Sequence, residues 1–159
     1  MTTTDLSSIA EAIVAPGKGI LAADESDGTI KKRFDTIGVE STEESRRDYR
    51  ELLFTTAGAE SNIGGVILFD ETIRQIASDG RSLVQVLLDA GIAPGIKVDK
   101  GAHPMEDSPS EKLTAGLDGL PDRLAEYAAL GAVFAKWRAV ITIGDGIPTD
   151  ACIKANAEA

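Results

Sequence analysis

One cysteine and one histidine occur in 159 residues, and that scarcity excludes some chemistry before any motif is read. A single thiol, Cys152, forms no internal disulfide, and a single imidazole, His103, leaves no multi-histidine zinc or iron site. Any metal would have to rest on carboxylates. Positive charge is also in deficit: 16 Lys and Arg stand against 26 Asp and Glu, for a formal net charge of -10. Nucleic acids and anionic membranes attract broad positive surfaces, so neither is an expected partner. No apolar run approaches the roughly 18 residues of a membrane helix, and "MTTTDLSSIAEAIV" has no basic segment leading into an apolar core. These absences point to a reduced, cytoplasmic setting in which an anionic substrate is caught by a local cluster of cations.

The hydrophobic content of 43% is ample for one globular domain. No repeat, low-complexity tract or linker divides the chain, so residues 1–159 read as a single domain. Ser8 with Glu11 gives a capping-box pattern for a first helix, which Pro16 and Gly17 stop. The strand "GILAA" follows, apolar on both faces, as in a parallel sheet covered by helices. Ile30, Phe34 and Ile37 predict a second helix, ended by Gly38. Ser41 and Glu44 cap a third, which carries Tyr49, Leu52 and Leu53.

"IGGVILF" and "PGIKVD" read as strands on either side of a helix, "SLVQVLLDAG". A polar loop spans 100–116. "PDRLAEYAALG" reads as a helix with Pro121 at its first position, "AVFAKWRAVI" as a fourth strand, and "TDACIKANAEA" as a helix capped by Thr149. Strand alternates with helix at crossover spacing, which argues for α/β architecture with parallel βα units. The last helix carries no stop signal, and residue 159 reads as a point of truncation.

Charges recur where strands end. Asp24 ends the first strand, Lys97 and Asp99 share one face of the third, and Lys136 and Arg138 share one face of the fourth. Lysine is rare on buried strands because an ammonium removed from water is costly unless paired. One shared polar centre of Asp24, Lys97, Asp99, Lys136 and Arg138 fits this pattern, as do ordinary structural ion pairs. Cations around a lysine make its amine nucleophilic, and a nearby carboxylate can move protons, a combination suited to carbonyl chemistry through a Schiff base. Ser26 and Thr29 fit either a helix cap or a phosphate contact. Lys31, Lys32 and Arg33 alone would be a solvated face. His103 reads as solvated, and Cys152 as a small packing residue.

The blocks "APGKGILAADESDGTIKKRF", "ESTEESRRDYRELLFTT", "IGGVILFDET", "PGIKVDKG", "GLDGL" and "FAKWRAVI" resemble, in order and spacing, class I fructose-bisphosphate aldolase. The resemblance implies the first four βα units of a (β/α)8 TIM barrel. It also implies metal-independent, cofactor-free cleavage of the phosphorylated sugar fructose 1,6-bisphosphate through a lysine Schiff base, by an enzyme that is usually a homotetramer. Within the matching blocks, Asp24 falls on the acid that assists proton transfer, and Lys136 on the lysine that aids carbinolamine formation. Ser26, Thr29, Lys32, Arg33, Lys97 and Arg138 fall on positions that contact phosphate or substrate. Asp99 is a supporting residue. Asp27 departs from the usual threonine and adds negative charge beside the phosphate position.

The same resemblance assigns the Schiff-base lysine and the principal acid-base glutamates to a second half of the barrel that these residues do not cover. The 159-residue chain alone is therefore expected to be inactive. The competing reading is a non-enzymatic half-barrel that binds phosphate or assembles through its open edges.

Overall fold

The computed structural model describes residues 5–159. They form two compact units: the chain up to Lys97 with Glu126–Ala135, and Val98–Ala125 with Lys136–Ala159.

The first unit opens with helix α1 (Leu6–Ile13) and strand β1 (Gly19–Ala23), followed by α2 (Asp27–Asp35), α3 (Glu43–Phe54) and α4 (Ala59–Asn62). Strand β2 (Ile63–Leu68), helices α5 (Asp70–Arg74) and α6 (Leu83–Asp89) and strand β3 (Ala93–Lys97) complete its first segment. β1 pairs in parallel with β2, and β2 with β3. Register sets Ala23 beside Leu68 and Leu68 beside Ile96, so the three carboxyl ends are level. Val66, Leu68 and Ile96 from the sheet and Ile30, Phe34, Phe54, Leu83 and Leu87 from the helices are buried and make up the core.

The second unit contains β4 (Ala102–Pro104) and β5 (Lys112–Thr114), an antiparallel pair, and α8 (Asp150–Glu158). Helix α7 (Leu120–Ala129) and strand β6 (Phe134–Lys136) each pass from one unit's residues to the other's. The larger sheet has the order β1-β2-β3-β6.

Two glycines explain how the strands accept their neighbours. A Cβ on Gly95 would stand 2.3 Å from the Phe134 ring, and one on Gly64 would stand 2.4 Å from the Ile13 carbonyl oxygen. Side chains at either position would collide with atoms that now pack directly on the backbone.

The structure corrects several readings of the sequence. β1 is an edge strand with Ile20 42% exposed, so it is not covered on both faces. Asp5, rather than Ser8, caps α1, accepting from the Ser7 N–H at 3.4 Å. α2 stops at Asp35, leaving Ile37 outside the helix and 70% exposed. Thr42, rather than Ser41, caps α3, in a box whose partner is Ser45. The loop at 100–116 holds the β4–β5 pair. The fourth strand stops at Lys136, so Arg138 lies two residues beyond it; Asp99 likewise follows the end of β3. Neither pair shares a strand face.

Candidate active site

Flush strand ends place Asp24 and Lys97 in the same row, each one step past the pairing of Ala23, Leu68 and Ile96. The carboxyl edge of a parallel sheet is where ligands bind in α/β folds, because loops there leave a crevice above the strands. Asp24 is buried and Lys97 half-buried. Immediately after Asp24 the chain enters α2. Ser26 stands at its N-cap, with no side-chain cap hydrogen bond. The Ser26 and Thr29 hydroxyls are instead 3.2 Å apart, exposed at a helix end whose free N–H groups favour anions.

Arg33 and Lys32 lie in the last turn of the same helix. The Arg33 guanidinium donates to the Glu25 carboxylate and reaches the Tyr49 hydroxyl at 3.5 Å. Asp27 adds a carboxylate to the first turn, and Arg46 lies 4.0 Å from it.

In the second unit, Asp99 is buried and its Oδ1 accepts from the Gly101 N–H at 3.1 Å, which folds the chain back after β3. The Lys136 carbonyl accepts from the Val98 N–H at 3.1 Å, and the Arg138 carbonyl from the Thr114 hydroxyl at 2.7 Å. Lys136 is half-buried and Arg138 exposed. His103 is exposed on β4, while Cys152 is 1% exposed on α8. Burial raises the Cys152 thiol above its ordinary range.

The sequence reading missed an ionic core behind the β1–α2 corner. Arg50 is fully buried; its Nε donates to the Ala23 carbonyl at 3.2 Å and its Nη2 to the Glu25 carbonyl at 2.7 Å. Glu25 and Glu71 lie 3.8 and 3.7 Å from its guanidinium. Arg46, one turn earlier, hydrogen-bonds Glu71, and that bond raises the Arg46 pKa. Burial pulls Arg50 down, opposed by the charges of Glu25 and Glu71. A sequence signal existed: Arg46 and Arg50 are four apart and share a helix face. The apolar reading of α3 favoured Leu52, which is 66% exposed.

Comparison with known proteins bears on the whole stretch. A family model described as fructose-bisphosphate aldolase class-I matches residues 5–159. The "Probable fructose-bisphosphate aldolase class 1" of Xanthomonas campestris pv. campestris is 58% identical over 159 residues, covering 100% of this chain and 48% of that protein. "Fructose-bisphosphate aldolase 4, cytosolic" of Arabidopsis thaliana is 53% identical over 155 residues, 98% of this chain and 39% of its own length. A solved structure of fructose-bisphosphate aldolase from Plasmodium falciparum, in complex with TRAP and a small molecule inhibitor, superposes with a TM-score of 0.91 at 50% identity. That match covers 94% of this chain and 44% of the other. The chain thus spans about half the length of the curated relatives it matches. Its α/β fold, with a parallel sheet that is not closed into a barrel, is that of a partial aldolase barrel. The chain belongs to the class I fructose-bisphosphate aldolase family.

Proposed function

We propose that these residues supply the first four βα units of an aldolase that reversibly cleaves fructose 1,6-bisphosphate to dihydroxyacetone phosphate and glyceraldehyde 3-phosphate, in the cytoplasm, as a step of glycolysis. The observation that carries the reading is the family match over residues 5–159. The buried Asp24 at a sheet's carboxyl edge, next to a helix N-terminus that carries two exposed hydroxyls, supports it. Asp24 assists proton transfer and carbon–carbon cleavage, and Lys136 aids carbinolamine formation. Ser26, Thr29, Lys32, Arg33, Lys97 and Arg138 contact phosphate or substrate, with Asp99 in support. Completed barrels assemble as homotetramers. The 159 residues alone lack turnover, because the Schiff-base lysine belongs to the part of the family fold that they do not cover.

The test joins the chain to the remaining half of the Xanthomonas campestris relative and measures cleavage of fructose 1,6-bisphosphate. Turnover by the joined protein and none by the 159-residue chain is the expected result. Asp24→Asn should lower kcat by about 100-fold or more, the usual scale for a lost proton-transfer group. A joined, folded protein that binds the bisphosphate without cleaving it would overturn the proposal in favour of a binding module. Borohydride trapping of dihydroxyacetone phosphate on the 159-residue chain, followed by intact mass, should give no adduct; a stoichiometric adduct on one lysine would overturn the claim that it is inactive alone.

A further inference from the structure

Arg50 grips the main chain on both sides of Asp24. Its two donors engage the Ala23 carbonyl at 3.2 Å and the Glu25 carbonyl at 2.7 Å, the residues immediately before and after. A planar guanidinium with a fixed fork holds two acceptors at a set spacing and orientation, which a flexible ammonium does not. The residue that bears the fork sits on α3, whose N-terminus is pinned by the Thr42–Ser45 box, so the clamp is tied to a rigid element.

Stability alone does not call for such a group. A fully buried charge loses its hydration, and apolar replacements of buried ion pairs are often neutral or stabilising. Among the described residues the Arg50 Nη1 makes no hydrogen bond, although Glu71 lies 3.7 Å away, whereas Nε and Nη2 both bond the main chain around Asp24. What its geometry does achieve is to fix the peptide units from which the Asp24 side chain projects. Glu25 strengthens the arrangement, since the same residue lends its carbonyl to Arg50 and its carboxylate to Arg33. From these contacts we infer that Arg50 is a positioning residue for Asp24, setting the direction of that carboxylate at the mouth of the site. This rests on the aldolase reading for its catalytic consequence; the geometric part stands without it.

Two measurements separate those parts. In the joined protein, Arg50→Met is expected to lower kcat by about 10-fold or more with KM changed less than about 3-fold, the pattern of a displaced group that acts in the transition state. Arg50→Lys, which keeps the charge but not the fork, should recover only part of the loss. In an Asp24→Asn background, Arg50→Met should cost less than about 2-fold, because the group it positions is already gone. An equal loss in both backgrounds, or a rise in KM alone, would overturn the inference. Should Arg50→Met fail to fold, the Lys variant reads the same cycle.

If the unaltered joined protein shows no cleavage, the functional proposal fails and hydrogen exchange still decides the geometry. In the same joined protein, Arg50→Lys should speed exchange in a peptide spanning 23–27 by about 10-fold while leaving 63–68 unchanged, as for local opening. Unchanged exchange in both peptides, or equal acceleration in both, would refute the clamp.

Discussion

Glu111 holds Thr149 by two bonds at once: one carboxylate oxygen accepts the Thr149 N–H at 2.7 Å and the other its hydroxyl at 2.8 Å. Thr149 in turn caps α8, accepting from the Cys152 N–H at 3.2 Å. The turn before β5 and the start of α8 are thereby fastened through a carboxylate that is 1% exposed.

That relationship has a pH consequence. The Thr149 N–H, chiefly, holds Glu111 below the ordinary carboxylate value of 4.5. A lowered folded-state pKa gives stability that is fully present above the unfolded value and is lost as pH falls through the folded one. Urea unfolding of the joined protein between pH 6 and about 3 should show Glu111→Gln to be less stable near neutrality and to converge with the parent in acid. A constant difference across that range would refute the assignment.

Helix α3 depends on its cap. The Thr42 hydroxyl accepts from the Ser45 N–H at 3.0 Å, and the Ser45 hydroxyl from the Thr42 N–H at 2.9 Å. Thr42→Ala should cost about 1 kcal/mol and Thr42→Ser little, measured by denaturant midpoint at constant slope.

At Gly95 the limit is space. A methyl group there would meet three Phe134 ring atoms at 2.3–2.6 Å. Gly95→Ala should destabilise by about 1–3 kcal/mol, and Phe134→Leu in the same chain should restore part of that loss. Equal penalties with and without Phe134→Leu would show that the ring is not what the methyl meets.

Cys152 should be inert. It is 1% exposed, and burial holds its thiol above the ordinary value of 9.0, so little thiolate is present at neutral pH. Reaction with a disulfide reagent should be slow in the folded joined protein at pH 7.5 and prompt in denaturant. Prompt native labelling would mean that α8 opens locally.

Strand and helix identities were legible where pattern and punctuation agree. "GILAA" became β1 at Gly19–Ala23, and Thr149 capped α8 as read. The Ser26 and Thr29 hydroxyls and Asp24 could be placed at a strand end because period and turn residues locate that end. Strand length was less legible: "AVFAKWRAVI" is apolar enough for ten residues, yet only Phe134–Lys136 forms strand, because a ladder needs a partner of equal length and composition does not state one. Arg50 escaped notice because a charged residue on a helix is solvent-facing by default, and only tertiary contact reveals a buried one.

Phe134 packs where Gly65 and Gly95 leave room: a Cβ on either would come within 3.1 Å and 2.3 Å of its ring. Those glycines lie on β2 and β3, 30 residues apart in sequence, and form one notch only when the two strands are paired. The seat for the ring therefore belongs to the paired strands and to neither strand alone, so a substitution that loosens the β2–β3 pairing also removes the surface on which Phe134 packs.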